Sequence, residues 1–124
     1  MATDFGGMDI TCAAGVDLTG KKYLAVKMSS DGQIDPASSQ GEACLGILQS
    51  EAATAGDSVR VRVDGTSVVE IGAAVEEGAE LQADTDGQLI TALAADYVVA
   101  IALQPGANAG DHIRALLVHY QKNA

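Results

Sequence analysis

The chain has 124 residues, with 17 acidic and 7 basic side chains and a formal net charge of -10. A single domain of that length buries roughly two thirds of the surface its unfolded form exposes, so it folds without staples. The acid excess, with the bases scattered as Lys21, Lys22, Lys27, Arg60, Arg62, Arg114 and Lys122, excludes the clustered basic footprint that nucleic acid requires.

The chain opens with "MATDFGGMD", residues 1–9, which reads as a flexible N-terminal arm: Gly6-Gly7 is a link, and Phe5 and Met8 are apolar anchors able to order against a partner. The opening has no positively charged leader followed by an apolar run, and nowhere do about 18 apolar residues run together, so the expectation is a soluble, unexported protein with no membrane partner. A single β domain is expected over residues 10–124. Cys12 and Cys44 have neither metal-type nor CxxC spacing and read as small buried apolar residues in a reducing compartment.

Short strands follow. Asp31-Gly32 and Asp86-Gly87 each lie between apolar runs and read as hairpin turns. "SVRVRVDG", residues 58–65, alternates with period two, Val59, Val61 and Val63 on one face and Arg60 and Arg62 on the other, and Asp64-Gly65 is expected to turn the chain into "TSVVEI". "GAAVEEGAELQA", residues 72–83, has helical composition, but Gly78 in its middle costs about 1 kcal/mol against alanine in a helix, which favours two extended pieces about a turn. Few aromatics, only Phe5, Tyr23, Tyr97 and Tyr120, and no tryptophan mean a core of small side chains, suited to a thin sandwich or small barrel.

The phrase Ala-Gly-Asp-x-[Val/Ile]-Arg occurs at residues 55–60 and again at 109–114. Around it two segments align, pairing Val16 with Val75, Gly20 with Gly78, Asp31-Gly32-Gln33 with Asp86-Gly87-Gln88, Leu45 with Val99, Ile47 with Ile101, Gly56 with Gly110 and Arg60 with Arg114. The fold expected is therefore all-β, a compact β-barrel or two-sheet sandwich of two similar β units, about 14–65 and 73–120, closing on one core. The copies differ after the arginine: the second runs "ALLVHY", with Leu116, Val118 and Tyr120 on one face and Ile113, Ala115 and Leu117 on the other. A strand apolar on both faces must be covered on both, which marks Leu116, Val118 and Tyr120 as candidates for self-association.

Chemistry is harder to find. No nucleophile elbow, phosphate loop or dinucleotide fingerprint is present. His112 and His119 are seven apart, about 23 Å along an extended strand and on opposite faces, too far to share a metal. "DTDGQ", residues 84–88, places Gly87 and Ala95 where a calcium loop needs other positions and another residue. Glu76, Glu77 and Glu80 read as a solvated edge. Lys27, in "AVKM", resembles the modified lysine of biotin carrier domains, but Val26 replaces the first methionine and Lys27 precedes the turn. The expectation is a protein that is not an enzyme, with no catalytic, cofactor-binding or metal-binding residues and no cofactor.

The order of phrases, "DITCAAGVDLTGKKYLAV", then "CLGILQSEAATAGDSVRVRVDG" and "AAVEEGAELQADTDGQL", then "VVAIALQPGANAGDHIRALL", is similar to the capsid cement or head decoration proteins of tailed bacteriophages, over residues 9–118. That resemblance implies a structural virion protein, made in the host cytoplasm, that sits on the outer head surface, commonly as a homotrimer, binds the major capsid protein and stabilises the shell. It makes Thr3, Asp4, Phe5 and Met8 of the arm candidates for capsid contact. The alternatives are another virion part, in the tail or a head-completion ring, or a carrier or ligand-binding small β-barrel.

Overall fold

The computed structural model describes residues 7–29 and 32–123. Among the described residues the sequence's short apolar runs become nine strands: β1 Gly7–Ala14, β2 Ala25–Met28, β3 Gln33–Pro36, β4 Gly46–Leu48, β5 Ser58–Glu70, β6 Glu80–Ala83, β7 Leu89–Thr91, β8 Tyr97–Ala102 and β9 His112–Gln121. They form one sheet in the order β1-β3-β2-β4-β5-β9-β8-β6-β7, and β1 also pairs with β5. The architecture is the all-β class expected.

That extra pairing closes the first half into a ring. β1 runs parallel to β3, with Ala14 opposite Ile34, and antiparallel to β5, with Thr11 opposite Arg60 and Asp9 opposite Arg62. In the second half the later part of β5 pairs with β9, β9 with β8, β8 with β6 and β6 with β7, and an isolated parallel bridge joins Leu89 of β7 to Ile71, the residue just after β5.

Backbone hydrogen bonds recur between the halves. Ala14 donates to Asp57 at 2.8 Å and Gly56 to Ala14 at 2.7 Å; Ile71 donates to Asp111 at 3.0 Å and Gly110 to Ile71 at 2.8 Å. The Ala-Gly-Asp phrase thus turns the chain onto the end of a neighbouring strand both times. Leu18 donates to Ala52 as Val75 does to Gly106, and Tyr23 to Leu48 as Gly78 does to Ala102. By these bonds Val75 answers to Leu18 and Gly78 to Tyr23, whereas the sequence alignment had set Val16 and Gly20 there. Tyr23 holds the positive φ, 74°, that Gly78 holds at 84°, so matching glycine with glycine misplaced the register.

Asp64-Gly65 does not turn. β5 runs straight through it, and Gly65, with φ 91°, kinks the strand between its two pairing partners. A bulge between Met8 and Asp9 accompanies the kink. Gly7, opposite Gly65, approaches β5 so closely that a Cβ there would lie 1.9 Å from the Asp64 carbonyl oxygen. Gly7, Met8 and Asp9, read from the sequence as arm, are the first residues of β1.

The valines of "SVRVRV" point inward as their alternation predicts, but there are two buried clusters instead of one core. Ala14, Leu18, Val26, Ile34, Leu48 and Val61 fill the first ring. Val69, Ile71, Leu81, Leu89, Val99 and Leu117 belong to the second, and Ala25, Ala37 and Ile47 of the first half pack into it. A ring of five short strands has room only for small and branched aliphatic side chains, so the low aromatic content and the two separate interiors have one cause. Ala25 donates to Gly87 at 2.8 Å and Gly41 to Ala83 at 2.9 Å, tying ring to ring.

Candidate docking surfaces

Position Arg62 of β5 answers to Leu116 of β9, because Arg62 lies opposite Ile47 and Leu116 opposite Ile101. On the first ring this outward position is charged and paired. Arg62 Nε donates to Asp9 Oδ1 at 2.7 Å, Arg62 Nη2 and Arg60 Nη1 reach Asp9 Oδ2 at 3.3 and 3.2 Å, and Arg62 Nη1 bonds the Thr66 carbonyl at 3.1 Å. The hydrogen bond from Arg62, with the positive charge of both arginines, holds the Asp9 carboxyl below its ordinary value against partial burial.

On the second ring the matching face is apolar. Leu116 is 40% exposed, with Thr66 opposite it on β5 and Ile101 opposite it on β8. Leu103, 42% exposed, follows Ile101 and donates its amide to the Arg114 carbonyl at 2.8 Å. The second ring therefore exposes leucines where the first keeps an ion-paired cluster. Nothing in the β architecture demands apolar groups there, since its counterpart folds without them.

Val118 is half-buried and Tyr120 is 39% exposed. A bulge between the Val98–Tyr120 and Ala100–Leu117 pairs interrupts the alternation that the sequence reading extended through β9. Tyr120 donates its hydroxyl to Glu80, which Lys122 also meets at 3.2 Å. The Tyr120 bond lowers the Glu80 carboxyl and raises the phenol. Tyr120 also lines an apolar groove of about 140 Å³ with Ala43, Cys44, Tyr97, Val98 and His119. Burial pushes the Cys44 thiol up to about 12, with Glu42 adding to the effect.

Met8, 60% exposed, stands at the start of β1. Thr3, Asp4 and Phe5 lie outside the described residues. Lys27 is on β2, bonded to the Ser38 hydroxyl at 2.6 Å and 3.6 Å from Glu42, so it is not displayed at a hairpin tip. His112 contacts Glu70 at 3.3 Å and lies edge-on to Tyr23, while His119 contacts the Val63 carbonyl at 2.9 Å. Among the described residues no three His, Cys, Asp or Glu side chains gather as a metal site.

Sequence reasoning singled out Leu116 and Tyr120, both of which are exposed, but did not anticipate the Asp9 fork or the groove. Asp9 is 51 and 53 residues from its arginines, and the groove joins a loop to two strand ends. Alternating arginines beside valines were the only local sign that something acidic would lie opposite.

The fold is similar to the N base of head fiber gp8.5 in bacteriophage phi29, with a TM-score of 0.70 and 14% identity, covering 94% of this chain and 98% of that one. No curated protein matches the chain. The model of the family described as phage cement protein matches residues 2–117. With nearly its whole length matched, the chain belongs to the phage cement protein family.

Proposed function

We propose that the chain binds the outer surface of a phage head through the major capsid protein, as a homotrimer, and stabilises the capsid. Membership of a family of phage structural proteins gives the class. The observation that carries the finer reading is the contrast between the two rings: ion-paired Asp9, Arg60 and Arg62 on one, and Leu116 with Ile101 and Leu103 on the other. Exposed leucines on a protein of net charge -10 favour a face made for protein contact. Leu116 and Val118, with Tyr120 at the edge, are the self-association residues in this reading, and Thr3, Asp4, Phe5 and Met8 the capsid contact. The two rings act as similar β units, supported by their recurring hydrogen bonds.

A trimer makes the role efficient. Each arm needs only modest affinity, since once one has docked the others meet their sites at high effective concentration. The virion is the place of action and synthesis is in the host cytoplasm; no enzymatic step is part of the reading. Purified protein mixed with expanded heads lacking it should co-sediment at a fixed ratio and raise their resistance to heat or osmotic shock. Absence of binding to such heads would refute the proposal.

A further inference from the structure

The outer edge of β1 is covered less than its counterpart in the second ring. Ala14 and Ile71 make the same bonds to the two Ala-Gly-Asp turns, so β1 answers to the later part of β5, Ile10 to Ser67 and Cys12 to Val69. The first ring covers the later part of β5: the Glu70 amide donates to the Tyr23 carbonyl at 3.0 Å, and Gln49 Nε2 to the Ser67 hydroxyl at 2.8 Å. Ser67 and Val69 are buried, whereas Ile10 and Cys12 stay half-buried against the first cluster. Among the described residues β1 meets β3 only at Ala13 and Ala14, and from Gly7 to Cys12 its ladder is with β5 alone. Arg60, opposite Thr11, turns its amide to the Ser50 hydroxyl at 2.9 Å and its carbonyl to the Gln49 amide at 2.8 Å, away from β1. In an antiparallel ladder the facing residue then turns its own amide and carbonyl outward too, which puts those of Thr11 on the outer edge.

We infer that this edge receives an extended segment of the major capsid protein as an added strand. The inference rests on the proposal that the chain binds heads through that protein, and it names the contact. Side chains from one face of the added strand complete the cover over Ile10 and Cys12, while its backbone bonds the Thr11 amide and carbonyl. Residues 9–12 carry no lysine or proline, the devices that commonly blunt an edge strand. Their one charge, Asp9, is held by Arg60 and Arg62, so on a chain of net charge -10 this edge sets no unpaired charge against an incoming strand. Met8, 60% exposed, lies on the same strand and makes the contact continuous with the capsid residue already proposed. A second copy pairing β1 with β1 gives a two-fold dimer, which does not fit the three-fold assembly.

Hydrogen exchange of the full chain, free and bound to expanded heads lacking it, tests this. The Thr11 amide should exchange at least about tenfold more slowly on heads than in the free protein, with the Glu70 amide little changed. Thr11→Pro removes an outward N–H and no bond to β5, so it should weaken head binding at least about tenfold while the melting temperature stays within a few degrees. Should Thr11→Pro melt lower, a Cys44→Ser background supplies the second readout: a disulfide reagent should modify Cys12 at least about fivefold more slowly on heads. Binding to heads with Thr11 and Cys12 unprotected overturns the added strand and leaves the proposed function standing. Failure to bind heads overturns both. Thr11 protection already present in the free protein also overturns it: protection lost on removing residues 1–6 would assign the cover to the chain's own N-terminal segment, and protection that grows with protein concentration would assign it to a second copy.

Discussion

Asp9 holds two arginines with one carboxylate, and the fork it forms with Arg62 ties the start of β1 to β5. Both partners are about four-fifths shielded from solvent, so this pair contributes more than an open surface bridge. Asp9→Asn should destabilise the fold by about 1–3 kcal/mol, read as a lower melting temperature at neutral pH. The sign of the pH dependence follows from the lowered Asp9 value. Its stabilisation is complete above the unfolded carboxyl value, about 4, and is lost as pH falls through the folded value. The gap between wild type and Asp9→Asn should therefore narrow in strong acid; a gap constant from pH 7 to pH 2.5 would remove the fork as its cause.

At the scale of elements, the shared strand β5 decides the architecture. Its early part closes the first ring on β1 and β4, its later part opens the second on β9, and Gly65 makes the bend between them. Gly7→Ala would press a Cβ onto the Asp64 carbonyl, and overpacking of that kind costs about 1–3 kcal/mol. We expect a lower melting temperature and earlier hydrogen exchange in β1 than in β9; equal exchange in both strands would contradict the close approach. Period-two alternation made the interior of β5 legible, since Val59 and Val61 sit where their spacing puts them. Asp64-Gly65 misled because the same positive φ that closes a two-residue hairpin also kinks a continuous strand, and sequence alone does not separate the two. The bulge in β9 was equally hidden: Leu116, Val118 and Tyr120 share a periodicity that the backbone interrupts. Leu116→Asp should leave the monomer fold intact, because the position is exposed and its counterpart Arg62 is already charged, yet reduce the oligomer. Analytical ultracentrifugation reads this directly, and an unchanged sedimentation coefficient would place self-association on another face.

For the whole molecule, the two halves of the sheet present different outward faces. One carries the Asp9, Arg60 and Arg62 ion pairs; the other exposes Leu116 and Leu103. β1 starts at Gly7, opposite Gly65, so removing residues 1–6 leaves every described pairing in place and should keep the melting temperature within a few degrees while weakening binding to heads. Unchanged binding would take the capsid contact away from Thr3, Asp4 and Phe5. Removing residues 1–9 is a different experiment, since it takes Asp9 from Arg60 and Arg62 and the bulge from β1. The measurement that bears most directly on the function is an image reconstruction of heads saturated with the purified protein. The account predicts added trimeric density on the outer shell at junctions between major capsid subunits, with the Leu116 faces turned toward one another. Density confined to a tail or a head-completion ring, or a bare shell, would contradict it.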